Sequence, residues 1–98
     1  MAQIIKTNGE VIETQPKNGT DFSLEELQAI VEHKVNGVSY HYIEIINLRD
    51  GRIMVINDEG KLIGCDINHK ATDIFSEVFG YHDFVVGNVL LCKDDEVR

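Results

Sequence analysis

Two stretches of this chain space their apolar residues along one face of a helix, and most other apolar residues fall in runs of strand length. A helix with one apolar face needs a surface to lie on, so the combination demands helices packed against a sheet. The first stretch carries Leu24, Leu27, Ile30 and Val31. Ser23-Leu24-Glu25-Glu26 marks its start as a capping box, in which the Ser23 hydroxyl and the Glu26 carboxylate each satisfy a free backbone N–H. Phe22 and Leu27 sit where a hydrophobic staple belongs, and Glu25 and Glu26 suit the positive end of the helix dipole. The pattern predicts a helix from about Leu24 to His33, ending before Asn36-Gly37. The second stretch carries Ala71, Ile74, Phe75, Val78 and Phe79, with Asn68 as its N-cap and Gly80 as its left-handed C-terminal residue.

The remaining runs read as strands. Gln3-Ile4-Ile5-Lys6 and Glu10-Val11-Ile12-Glu13 flank Thr7-Asn8-Gly9, which predicts a hairpin with positive φ at both Asn8 and Gly9. Asn18-Gly19, after Pro16, marks a loop. Residues 40–48, 52–56 and 61–63 form a predicted meander, turning at Asp50-Gly51 and at Asn57-Asp58-Glu59-Gly60. Its middle strand is apolar on both sides, Ile53 and Val55 pointing one way and Met54 and Ile56 the other. That marks a central strand covered on both faces. Residues 84–92 give a last strand, bent at Gly87. The expected fold is α+β, in the order β-β-α-β-β-β-α-β. It has one mainly antiparallel sheet of five to six strands and two helices, in a single domain over residues 1–98.

Nine basic against seventeen acidic side chains leave a net charge of −8, spread along the chain. Such a field repels phosphate backbones, so direct nucleic-acid backbone binding is not expected. The acidic surface either keeps the protein soluble or engages a basic site on another protein. No apolar run reaches the roughly 18 residues that cross a bilayer. No signal-peptide core follows Lys6, so a cytoplasmic location without membrane contact is expected. In that setting Cys65 and Cys92 read as reduced, packed thiols.

The chain offers little to catalysis. His33, His41, His69 and His82 are scattered without metal-ligand spacing, and Asn57-Asp58-Glu59-Gly60 reads as a turn, lacking the spaced acids of a calcium loop. No phosphate-cradling glycine loop joins a strand to a helix. Ser23 is committed as a cap, and both cysteines lie in apolar runs where thiols are inert. No catalytic residue, cofactor or metal is predicted. The residues best suited to making contacts are Tyr40, His41 and Tyr42, together with Tyr81 and His82, because tyrosine and histidine present an apolar body with a polar tip.

Several blocks, in order along the chain, carry a resemblance: NGTDFSLEELQAIV from Asn18 to Val31, then YIEI, DGRIMVINDEGKL, the Asn68-x-x-Ala71-Thr72 segment and VVGNVLLC. They resemble a family of small uncharacterised proteins of bacteria, phages and mobile elements, catalogued as domain of unknown function 3846. The connection from His33 to His41 is longer here than in that pattern. The resemblance implies a mobile-element setting and transfers no catalytic residues.

Two helices of about ten residues are expected to cover one face of such a sheet, leaving the other apolar face open to a second copy or a host protein. The leading functional expectation is a small acidic, non-enzymatic binding protein acting on a host macromolecule, with a defence component among the candidates. The alternative is a sponge for a small molecule or nucleotide signal, with a pocket between protomers lined by Tyr40, Tyr42 and His82. A weak hydrolase using a histidine and carboxylates ranks third.

Overall fold

The computed structural model describes residues 2–97. Strands β1 (Ala2–Ile5) and β2 (Val11–Thr14) form the expected first hairpin, with a different turn. The Lys6 N–H donates to the Glu10 carbonyl at 2.8 Å and the Gly9 N–H to the Lys6 carbonyl at 3.0 Å. Of Asn8 and Gly9, only Gly9 takes positive φ, at 91°. This is the three-residue loop with a glycine bulge, which needs one left-handed position where the two-residue turn needs two.

Helix α1 (Leu24–Val31) starts as its capping box dictates. The Glu26 N–H donates to Ser23 Oγ at 3.2 Å, and the Ser23 N–H donates back to Glu26 Oε1 at 3.0 Å. The Lys17 N–H occupies the other carboxylate oxygen, Oε2, at 3.0 Å. Donation from Ser23, and then from Lys17, holds the Glu26 carboxyl below its ordinary range. A depressed native value means this contribution is present above the unfolded value, ~4.3, and is lost as pH falls below it. On acidification the first-turn amides of α1 should therefore lose hydrogen-exchange protection before those of the central strands. Glu26→Gln should lack that acid step; equal loss in both proteins would refute the assignment.

Beyond Val31 the chain departs from expectation. Glu32 has extended ψ, 136°, so the helix ends two residues early, and β3 (His33–Val35) pairs with β4 (Val38–Tyr40). Asn36 and Gly37 take φ of 51° and 79°, supplying the doubly left-handed turn of a tight hairpin. The Asn-Gly signal was correct chemistry assigned to the wrong Asn-Gly pair. The expected single strand over 40–48 is consequently split: Tyr40 ends β4, and β5 (Ile43–Asn47) begins after His41-Tyr42. β6 (Arg52–Asn57) follows, and the turn before it takes its left-handed residues at Arg49 and Gly51.

Residues 61–63 are wound, not extended, because the Leu62 and Ile63 N–H groups both donate to the Glu59 carbonyl, at 2.9 and 3.1 Å. Helix α2 (His69–Phe79) has the expected caps, with Ala71 N–H donating to Asn68 Oδ1 and Gly80 at φ 91°. Gly87, at φ 78°, breaks the predicted last strand, so Val86 makes an isolated bridge to Ile67 and β7 (Val89–Lys93) begins beyond it.

The fold is the α+β arrangement expected: one antiparallel five-stranded sheet in the order β2-β1-β7-β6-β5, two helices, and a small β3-β4 sheet. Side chains alternate across its central strands. Ile53, Val55, Leu90 and Cys92 pack with Leu27 and Val31 of α1, while Met54, Val89 and Leu91 pack with Ala71 of α2. The helices therefore lie on opposite faces, and the expected uncovered sheet face does not exist. Topology explains it: α1 lies in the connection between the two edge strands β2 and β5, and α2 links neighbouring β6 and β7 across the other face.

Both cysteines are buried. Burial pushes the Cys92 thiol up to about 12 and also raises Cys65, where neighbouring Asp66 adds to the effect. Because the thiolate is the reactive form, neither should react with an aromatic disulfide reagent at pH 8 in the native protein, and both should in urea. Rapid stoichiometric release of the chromophore before unfolding would contradict this packing.

Candidate functional site

The α2 stripe is wider than the sheet beneath it can cover. Phe75 and Phe79, one turn apart with ring centroids 4.8 Å from each other, stay half-buried. Opposite them, Ile46 of β5 and Ile56 of β6 are half-buried too. Between these side chains lies a cleft of about 530 Å³. Val85 and Val86 contribute to its lining, and the exposed side chains of Leu62 and Phe84 stand at its margin. The volume falls within the range of roughly 300–1,000 Å³ typical of ligand sites, and an apolar lining with a few polar groups is their usual composition.

Besides the amide of Asn57, the polar groups are Glu44, Asp58, Asp83, Lys61 and His82, three carboxylates against one ammonium and an imidazole. Lys61 Nζ lies 2.6 Å from Asp83 Oδ1 and 4.6 Å above the Phe84 ring. The ammonium, with a second hydrogen bond from the Phe84 N–H, holds the Asp83 carboxyl below its ordinary range. The one lysine is thus partly neutralised, leaving Glu44 and Asp58 to set the sign of the rim. Arg49 packs its guanidinium 5.0 Å from the centre of the Phe79 ring. Such contacts fix ring orientation and are worth ~0.5–1 kcal/mol at exposed sites.

Of the five residues singled out from sequence, His82 lines this cleft. Its neighbour Tyr81 is 78% exposed and stands outside the lining. Tyr40 pairs with His33 in the small sheet, and its carbonyl accepts from Asn57 Nδ2 at 3.0 Å. The His41 and Tyr42 rings make a tilted contact, centroids 5.5 Å apart, and His41 Nδ1 lies 3.2 Å from Ser39 Oγ. The Ser39 hydroxyl donates its only proton to Glu32 at 2.7 Å, so the imidazole does not activate it as a nucleophile. The pocket imagined from Tyr40, Tyr42 and His82 thus has only its histidine at the cleft.

Sequence reasoning missed Phe75, Phe79, Ile46 and Ile56 as site residues because it read them as core. A usable signal was present: two phenylalanines one turn apart at the end of the stripe, nearest an edge strand. Among the described residues, no three His, Cys, Asp or Glu side chains are grouped closely enough to hold a metal ion. Nor, among the described residues, is any helix long and apolar enough to cross a membrane.

No curated protein and no solved structure matches the chain. A family model does match, over residues 4–98, and carries the description Domain of unknown function (DUF3846). That span covers nearly all of the sequence, including both helices and all of the sheet except the first two residues of β1, so the chain belongs to this family.

Proposed function

We propose that this protein is a binding module, without catalytic turnover, that receives an apolar group of a partner macromolecule in the cleft between α2 and the β5–β6 edge. The observation that carries the reading is the cleft itself, about 530 Å³ with phenylalanine and isoleucine side chains in its lining and charges around them. The nucleophile candidates support it: the cysteines are buried, Ser23 caps α1, and Ser39 donates to Glu32. The mobile-element resemblance makes a host protein, including a defence component, the natural partner. A second reading, a small-molecule sponge, is favoured by the same volume, which also fits a small organic ligand.

Site-specific photo-crosslinking separates these readings. A photoreactive residue at Leu62, 87% exposed at the cleft margin, should give a discrete protein adduct in host cells. The same residue at exposed Glu13, on the opposite edge strand, should not. Equal labelling at both positions would remove the cleft as the contact site. Mass spectrometry finding a co-purified small molecule, with no protein adduct at position 62, would favour the sponge.

A further inference from the structure

β5 is an edge strand, and its open side has a definite chemistry. At the two ends of the β5–β6 pair, the Leu48 N–H donates to the Arg52 carbonyl at 3.0 Å and the Asp58 N–H to the Tyr42 carbonyl at 2.9 Å. Residues alternate in direction along an antiparallel ladder, so Glu44 and Ile46 turn their backbone groups toward β6. Ile43, Ile45 and Asn47 therefore present their N–H and C=O groups to the open edge. Edge strands are ordinarily blunted by proline, lysine or a bulge. β5 holds no proline or lysine, its pairing with β6 runs without a bulge, and its Ile45 side chain is 47% exposed.

This edge adjoins the cleft. Glu44 and Ile46 alternate with the outward-bonding residues, and their side chains line the cleft. A strand laid along β5 would continue the sheet, and every second side chain would fall on that same face. We propose that an extended segment of a partner protein, basic and apolar in composition, adds as a strand to β5. It sets a large apolar side chain into the cleft and a lysine or arginine beside Glu44. This deepens the cleft reading and rests on it.

Charge selects the occupant. Glu44, Asp58 and Asp83 outnumber the nearby cations Lys61 and Arg49, Lys61 is already paired with Asp83, and the chain carries −8, so a basic segment is attracted. A second copy would instead bring two chains of −8 together, with the two Glu44 side chains near one another across the new strand pair. Self-pairing through β5 is disfavoured on both counts.

The probe is the synthetic peptide Lys-Val-Lys-Val-Phe-Val-Lys-amide, N-terminally labelled with fluorescein for anisotropy and acetylated for amide chemical shifts, in each case with the full chain. Binding should perturb Ile43, Ile45, Asn47 and the cleft together, and should weaken with salt. Replacing the lysines by glutamates should weaken it at least about tenfold, a change of about 1.4 kcal/mol. Ile45→Pro should do the same, since it deletes an outward N–H and no bond to β6. Peptides N-methylated on the edge facing β5 test the same point with the native protein, methylation of the other edge being harmless.

Leu62→Ser with Phe84→Ser opens the cleft walls and tests the reading on which the proposal rests. Binding lost in that double variant but retained by Ile45→Pro and by both N-methylated peptides would overturn strand addition and leave the cleft standing. Binding that ignores the cleft variant would overturn the proposal by removing its anchor. Absence of binding by the lysine peptide, or a concentration-dependent dimer whose β5 amides the peptide cannot perturb, would overturn it as well.

Discussion

Replacing Asn68 by alanine should lower the unfolding free energy by about 3–5 kcal/mol, read from urea denaturation. The residue is completely buried, and its side chain makes three hydrogen bonds. Oδ1 accepts from the Ala71 N–H at 3.1 Å and so caps α2. Nδ2 donates to the carbonyls of Ile5 and Gly87, both at 2.9 Å, tying the end of β1 and the break before β7 to the helix start. Losing an N-cap costs about 1 kcal/mol. Each of the two carbonyls that loses this buried donor costs a further ~1–2 kcal/mol. A whole domain of this size has only about 5–15 kcal/mol of net stability, so the variant should sit close to its unfolding limit at room temperature. A loss below about 1.5 kcal/mol would mean that only the cap matters and that the two donor bonds contribute nothing.

Asn68→Asp gives the same prediction a pH signature. The carboxylate keeps the acceptor for Ala71 and loses both donors, turning negative charge toward two carbonyl oxygens. Protonation restores one donor, so the native state should hold this acid above its unfolded value of ~3.9. With a raised native pKa, the protonated form's advantage is complete below ~3.9 and disappears as pH rises through the native value. The stability gap to the unaltered protein should therefore be narrower at acid pH than at neutral pH. A gap independent of pH would contradict the donor role.

The two helices, most strands and their antiparallel order were legible because their signals are local. The Ser23–Glu26 capping box and the Asn68 and Gly80 caps fix ends within a few residues, and two-sided apolarity at residues 53–56 marks β6 as central. What escaped was set by partners distant in sequence. Asn36-Gly37 and Asn8-Gly9 look alike in one dimension, yet only the first takes two positive φ values. Nothing local records that Val31 and Tyr40 share a donor on Asn57. Helix sidedness escaped for a related reason. Each stripe announces that it packs on a sheet but not on which face, and the opposite placement follows from strand order. His82 stands out in sequence through its local cluster and does line the cleft, whereas the cleft itself depends on Phe79 and Ile46 meeting across a sheet edge.

Asn57→Ala should cost about 2–4 kcal/mol and, more tellingly, should loosen one part of the molecule first. Asn57 is 3% exposed at the end of β6, and its Nδ2 donates at 3.0 Å to the carbonyls of both Val31 and Tyr40. Those carbonyls lie at the end of α1 and the end of β4, so one amide fastens the β3–β4 hairpin at both junctions. Its Oδ1 also accepts from the Glu59 N–H at 2.9 Å, closing the turn beyond β6. A two-stranded hairpin is marginal by itself in water, and this one lies outside the main sheet. Without its donor, amides 33–40 should exchange with solvent well before those of β6 and β7, whose ladders and two-sided core are untouched. Uniform acceleration of exchange across all strands would show instead that Asn57 serves the global core and that the hairpin is held by contacts of its own.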